Sequence, residues 1–472
     1  MARPNKNLTQ RINSLKQHLD RENPLLVEVV DYFKQLDRVG YRTGLLKPDE
    51  SFANSISWWP LVSILGTFSA GKSSFINSFL GEKIQQTGSH AVDDKFTVMT
   101  FSGDSEVRVL PGLALDADPR FPFYQISEEI EKVSEGDGGR IDSYLQLKTC
   151  RSEKLRGAIM IDSPGFDADA QRTAILSLTD YIIDLSDLVI VFFDARHPEP
   201  GAMQDTLAHL VSNTIDRNDA NKFVFVLNQI DTTANEDNLE DVVAAWQKAI
   251  AQTGMTAGTF YCIFNKDVAV SIEDETVRAR YLRRRERDMA EIESRISKVG
   301  VERIYRIVGS LENLTNLIEQ QWVPKVMELF RVWRKRVILT DLALWGTVAV
   351  GIFALGLIPV ITRGFQEMSW IPVSIVIVAV IALVWAHFYL RKWYADRLVK
   401  RMERDGLRSE VIQSFRKNTH FAYTMFRGNP VGWGRGARKK LAKIREAADR
   451  FVQSLNDRYT DPSGSTKRTD EG

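Results

Sequence analysis

A chain of 472 residues, 44% hydrophobic and 26% charged, is long enough for two or three domains and has the composition of ordinary folded protein. Its formal net charge of +1 excludes a globally basic nucleic-acid binder, and no nucleic-acid partner is expected. The two cysteines, Cys150 and Cys262, cannot build a disulfide framework and read as core residues in a reducing compartment, and the polar start from Met1 to Lys6 carries no secretory signal.

Residues 1–57 read as an N-terminal helical segment in two pieces. Leu8, Ile12, Leu15 and Leu19 recur at helical spacing, as do Leu26, Val29, Phe33 and Leu36, and Asn23-Pro24 divides them because proline disfavours helix in the residue before it. From 58 to 268 apolar strand-like runs alternate with helical stretches, the pattern of an α/β domain with a parallel sheet. That domain opens on Gly66 to Ser73, Gly-Thr-Phe-Ser-Ala-Gly-Lys-Ser, a complete G-x-x-x-x-G-K-S loop between a strand-like run (Leu61, Val62, Ile64, Leu65) and a helix-like one (Phe75, Ile76, Phe79, Leu80). In such a loop successive backbone N–H groups turn inward on phosphate, Lys72 neutralises the β and γ charges, and the Ser73 hydroxyl ligates Mg²⁺. The expected ligand is a nucleoside triphosphate.

Two further strand ends carry matching chemistry. Ala158 to Ile161 leads into Asp162-Ser163-Pro164-Gly165, a D-x-x-G arrangement in which Asp162 holds Mg²⁺ through water and the Gly165 amide senses the γ-phosphate. Phe223 to Leu227 leads into Asn228-Gln229-Ile230-Asp231, which resembles the guanine-reading N/T-K-x-D motif of GTPases, with Gln229 in place of the usual lysine. Asp231 favours guanine, while the glutamine leaves both GTP and ATP open.

Residues 269–337 turn helical and charged, with Leu311, Leu314, Leu317, Ile318 and Trp322 at helical spacing, and read as a stalk. Its arginine cluster (Arg278, Arg280, Arg283, Arg284, Arg285, Arg287) is expected to be a solvated face paired with Glu286 and Asp288, with contact to anionic lipid as the alternative. Within 338–392, Leu342 to Ile361 has no charge and Trp370 to Leu390 has only His387 as an ionisable group; each spans about 30 Å as a helix, the thickness of a bilayer core. Together they predict a transmembrane hairpin, and Arg334-Lys335-Arg336 before it with Arg391, Lys392, Arg397, Lys400 and Arg401 after it predict an integral membrane protein with both termini cytoplasmic. Residues 393–458 read as a C-terminal helical segment broken near Gly428, Pro430, Gly432 and Gly434, and 459–472 as a disordered tail.

The three motifs in order, and the stretch from Gly66 to Gly81 in particular, resemble the dynamin superfamily, with the EH-domain-containing (EHD-type) branch as the nearest likeness. Supporting stretches are Leu110-Pro111-Gly112, Asp118-Pro119-Arg120 and Leu188 to Ala195. The resemblance covers roughly residues 25–325 and implies a P-loop GTPase-type domain that self-associates through its nucleotide domains and remodels, tethers or fuses a lipid bilayer. It implies Ser69, Lys72 and Asp162 as catalytic residues, Ser69 by organising the attacking water. Nucleotide binding is implied for Gly66, Ser69, Ala70, Gly71, Lys72, Ser73 and Ser74, with Gly165, Asn228 and Asp231, and Mg²⁺ binding for Ser73 and Asp162. The chain departs from the branch in switch I, where Val92-Asp93-Asp94 stands in place of a threonine pair and aspartate, with Thr87 or Thr97 as alternative bearers of that role. No EH domain is recognisable in the sequence, and the hairpin is expected to supply membrane attachment instead. A nucleotide-gated scaffold with slow or no hydrolysis is the alternative that Asp93 keeps open.

Overall fold

The β1 strand, Leu61–Gly66, is buried along its whole length, and the rest of the nucleotide-domain sheet is assembled around it. In the computed structural model the residues described are 4–67, 69–87, 95–104, 106–118, 120–121, 141–164, 172–196, 220–252, 258–354, 356–359, 361–362 and 370–459. Asp93 with its neighbours, Gly165, and the tail beyond residue 459 lie outside them.

The further strands are β2 (Phe96–Phe101), β3 (Arg108–Pro111), β4 (Leu145–Cys150), β5 (Ile159–Asp162), β6 (Leu188–Asp194), β7 (Phe223–Asn228) and β8 (Thr259–Cys262). They form one sheet in the order β3-β4-β2-β5-β1-β6-β7-β8. β5, β1, β6, β7 and β8 run parallel, whereas β2 is antiparallel to β5 and β3 is antiparallel to β4, so the sheet is mixed on one side and parallel on the other. The parallel strands read as unbroken apolar runs because both faces are covered. In β6 successive residues go to opposite faces: Val189, Val191 and Phe193 join one core with Phe225, Leu227 and Trp246, while Ile190 and Phe192 join another with Phe75, Ile76, Ile292 and Val299. The architecture is the α/β, GTPase-type class expected from the sequence, with a helical stalk region and two long apolar helices.

Contacts divide the chain into two units, one of residues 11–26 and 54–307 and one of residues 1–10, 27–53 and 308–472. In the first, Asp187 is wholly buried and accepts from the Leu61 amide at 3.0 Å, Arg303 at 3.1 Å and Arg306 at 2.9 Å, binding the start of β1 to the Glu275–Leu317 helix. The arginine cluster is paired in part as expected: Arg284 and Arg287 each reach Asp288 at 2.9 Å, whereas Glu286 pairs with Lys266 at 2.7 Å.

In the second unit, Trp333 on the Val323–Ala354 helix and Leu398, Val399 and Met402 on the Trp370–Arg404 helix share a core with Phe415. The Trp333 indole N–H donates to the Arg391 carbonyl at 3.1 Å. A π turn, Ile318–Trp322, precedes the Val323–Ala354 helix and falls just before Pro324, which has no N–H to continue an α-helical ladder. Both helices are long and apolar enough to cross a membrane, and almost none of either apolar run is covered by protein. Across them His387 Nδ1 meets Asp341 Oδ2 at 2.7 Å, so the ionisable group of the second run has its partner at the edge of the first. Asp37 is buried, accepts from Ser51 Oγ at 2.5 Å and the Phe52 amide at 2.8 Å, and is pushed by burial from 3.8 up to about 7, against the pull of those bonds and of Lys34.

Two outcomes are expected. Asp187→Ala leaves Arg303 buried without its carboxylate and should lower unfolding free energy by about 3–5 kcal/mol, read as a shift of the urea midpoint. At Asp37 the folded chain holds a proton that the unfolded chain releases near its ordinary 3.8, so this carboxyl's contribution to stability is full at low pH and is lost as pH rises through about 7. Asp37→Asn should flatten that slope, worth on the order of 4 kcal/mol across the window, in melting curves of the detergent-solubilised chain taken from about pH 4 to 8.

Candidate nucleotide-binding site

The loop after β1 is shaped by two positions where a side chain would not fit. A Cβ on Gly66 would lie 2.8 Å from the Phe192 carbonyl oxygen of neighbouring β6. Gly71 is left-handed at φ 86° and packs against the Asn228 amide, which a Cβ would strike. Between them Ser69 is also left-handed, at φ 62°, a conformation that a non-glycine residue adopts at a cost of order 1 kcal/mol. The chain then enters the Lys72–Leu80 helix, whose free N–H groups and dipole point back at the loop. Ser73 and Ser74 are partly exposed in its first turn.

Lys72 lies back along the loop, its ammonium donating to the carbonyls of Gly66 at 2.9 Å and Thr67 at 3.1 Å. Burial lowers its pKa, with the charge of Asp162 pulling the other way. A polyphosphate arriving there would favour the charged form.

Asp162 ends β5, directly beside Ile64 of β1 and opposite Thr97 of β2. Its Oδ2 accepts from Gln85 Nε2 at 2.5 Å, and Gln85 Oε1 accepts from Lys148 Nζ at 2.6 Å. Gln85 is itself held through its backbone: Asn77 Oδ1 accepts from the Gln85 amide at 2.9 Å and Asn77 Nδ2 donates to its carbonyl at 2.8 Å. Ser163 follows, its amide bonded to the Ile64 carbonyl at 3.0 Å and its hydroxyl buried with no partner among the described residues.

At the end of β7, Asn228 Nδ2 donates to the Ala70 carbonyl at 2.9 Å, and Gln229, left-handed at φ 63°, donates through Nε2 to the Ser69 carbonyl at 2.7 Å. Two adjacent side chains of one strand end therefore brace two adjacent peptides of the phosphate loop. Asp231, nearly buried, accepts from the Val270 amide at 2.8 Å. Burial raises its pKa, opposed by that bond and by the charge of Arg196, whose guanidinium forks onto Asp194 at 2.5 to 3.0 Å.

The fold thus gathers Gly66, Ser69, Ala70, Gly71, Lys72, Ser73 and Ser74 with Asp162, Asn228 and Asp231 at the C-terminal ends of β1, β5 and β7. Gly165 falls outside the described residues. The cradle fits a triphosphate, because it leaves no room for side chains at Gly66 and Gly71 and carries a lysine on its floor. The oxygen donors Ser73 and Asp162 suit Mg²⁺, which takes one or two protein ligands beside phosphate oxygens. Among the described residues no group of three or more His, Cys, Asp or Glu could hold a metal by itself.

Gln85 and Lys148 were not legible as site residues. They reach Asp162 from a turn and from β4, a juxtaposition made by strand order. The one signal was Lys148 itself, a lysine inside the strand Leu-Gln-Leu-Lys-Thr-Cys that would need an acceptor if buried. Gln229, read as a missing lysine, proves to be a second brace on the loop.

Sheet order, loop and strand-end residues together define a phosphate-loop nucleotide domain of the GTPase type. More particularly, residues 62–230 match the model of the dynamin family. Two solved structures described as an oligomerised bacterial dynamin pair, said to provide a mechanism for the long-range sensing and tethering of membranes, are similar to this chain at 12% identity each. They cover 96% and 95% of this chain and 75% of their own, with TM-scores of 0.34 and 0.32. No curated protein matches the sequence significantly.

Asn228→Ala should free the Ala70 carbonyl and loosen the cradle. The expected result is about a tenfold weaker affinity for a fluorescent triphosphate, without a comparable fall in melting temperature.

Proposed function

We propose that this chain is a membrane-anchored dynamin-like NTPase, a GTPase by preference, that remodels, tethers or fuses membranes as its nucleotide domains pair. The observation that carries the reading is the joint presence of a braced phosphate loop and two apolar helices bare of protein cover. The hairpin formed by those helices spans the bilayer, and the basic residues at Arg334, Lys335 and Arg336 and at Arg391 and Lys392 keep both termini on the cytoplasmic side.

At the head, the loop amides and Lys72 bind the triphosphate and neutralise its charge. Ser73 and Asp162 would hold Mg²⁺, which would supply charge screening at the phosphate oxygens, and Gln85 fixes the carboxylate of Asp162. Ser69, fixed by the Gln229 amide on its carbonyl, orients the attacking water. Asp231 accepts from the guanine edge beside the Val270 amide it already holds, and its burial makes that preference strong because an unmatched base leaves the carboxylate one donor short.

Binding of GTP and ATP, measured side by side on the detergent-purified chain with Mg²⁺, tests the head and its base preference together. GTP should bind more tightly by about ten- to a hundredfold, Asp231→Asn should erase the difference, and Lys72→Ala should abolish binding of both. Selective binding of ATP would replace the GTPase reading with an ATP-using remodeller of the EHD-like kind.

A further inference from the structure

From Val411 to Arg445 the chain has nine Lys or Arg and no Asp or Glu, a strongly basic stretch in a nearly neutral protein. Inside it a short loop follows the Ser409–Thr419 helix and presents Phe421 at 70% and Phe426 at 75% exposure. A single exposed phenylalanine is unremarkable in any protein, but two on one small basic loop make a patch that water does not favour.

The loop is built, and it is built onto the base of the hairpin. Met425, next to Phe426, is buried in the core that holds Trp333 and Val337. Arg391, the residue directly after the apolar run that ends at Leu390, donates to the carbonyls of Tyr423 at 3.0 Å and His420 at 3.5 Å. Arg334, on the other helix, donates to the Arg427 carbonyl at 3.4 Å, and Arg427 lies over the Tyr423 ring at 5.6 Å. Val337 precedes Leu342, the start of the first apolar run, by five residues, a rise of about 7.5 Å. The loop is therefore moored within about one and a half helical turns of the apolar segments, beside the exposed Lys335, Arg336 and Lys392.

We infer that the loop carrying Phe421 and Phe426 is a second membrane contact, a collar that seats its two phenylalanines in the headgroup region of an anionic leaflet around the root of the hairpin. The inference rests on the reading of the hairpin as membrane-spanning. Its occupant follows from position and charge: the loop carrying the rings is moored beside the start of the apolar runs, and the exposed Lys335, Arg336 and Lys392 there supply attraction to anionic headgroups of about 1 kcal/mol per Lys or Arg near the surface. Nothing in the loop is an acid that would oppose it. Held by Met425, Arg391 and Arg334, the rings enter the interface without ordering a floppy segment first.

The test uses the full chain reconstituted in vesicles of phosphatidylcholine alone or with about 30% phosphatidylglycerol. Phe421→Cys and Phe426→Cys are labelled with an environment-sensitive dye, as is Val380→Cys within the second apolar run; native Cys150 and Cys262 are each 1% exposed and stay unlabelled. Both collar labels should show blue-shifted, brighter emission in anionic vesicles, quenched more by shallow than by deep spin-labelled lipids, with a weaker effect in phosphatidylcholine alone and at high salt. Val380→Cys should be quenched by the deep label in either vesicle. Collar labels that stay water-like while Val380→Cys is quenched overturn the collar and leave the hairpin standing; loss of quenching at Val380→Cys overturns the hairpin and the collar with it. A collar signal produced by added single-stranded nucleic acid and absent with vesicles overturns the lipid assignment in favour of a nucleic-acid surface.

Discussion

The nucleotide domain depends on β1 being held between two parallel neighbours in one register. Ile64 pairs with Asp162 on one side and Gly66 with Phe192 on the other. That register sets the Asp162 carboxylate one strand away from the phosphate loop, and it leaves so little room at Gly66 that no side chain larger than hydrogen can stand there. A slip by one residue would turn Asp162 to the other face of the sheet and drive a β1 side chain against β6. The burial of Asp187, with two arginines and the Leu61 amide upon it, closes the entrance of the same strand. At its other end Lys72 donates to the Gly66 carbonyl at 2.9 Å, and in its middle Ser63 Oγ meets Ser186 Oγ at 2.6 Å.

Conformational cost is concentrated where the ligand would sit. Ser69 and Gln229 are both left-handed without being glycine, and each is joined to the other across the gap between β1 and β7 by the Gln229 amide. A loop braced at two carbonyls holds one shape before a ligand arrives, which lowers the ordering cost of binding. Lys148 and Gln85 do the same for Asp162, a hydrogen-bonded chain that leaves the carboxylate little freedom to rotate.

The helical unit obeys a different rule. Its hairpin helices bury almost none of their apolar runs, and two polar contacts join the pair, Asp341 Oδ2 with His387 and the Trp333 indole with the Arg391 carbonyl. Below the hairpin, Phe330, Trp333, Met402, Phe415 and Met425 form a water-excluding core of the ordinary kind.

Much of this was legible along the chain because the signals are local. The phosphate loop, the strand-end aspartates and the asparagine are short motifs whose chemistry is set by residue type and spacing; the apolar runs of the hairpin are set by length, and the helical periodicity before Asn23-Pro24 is set by burial on one face. The tertiary structure alone decided which residues meet. The reversal of β2, the chain from Lys148 through Gln85 to Asp162, the second brace from Gln229, the pairing of Asp341 with His387 and the mooring of the loop at Phe421 and Phe426 all join residues far apart in sequence. Their physical reason is the same throughout: a buried polar group must find a partner, and which partner lies within 3 Å is a property of strand order and helix packing that no local pattern carries.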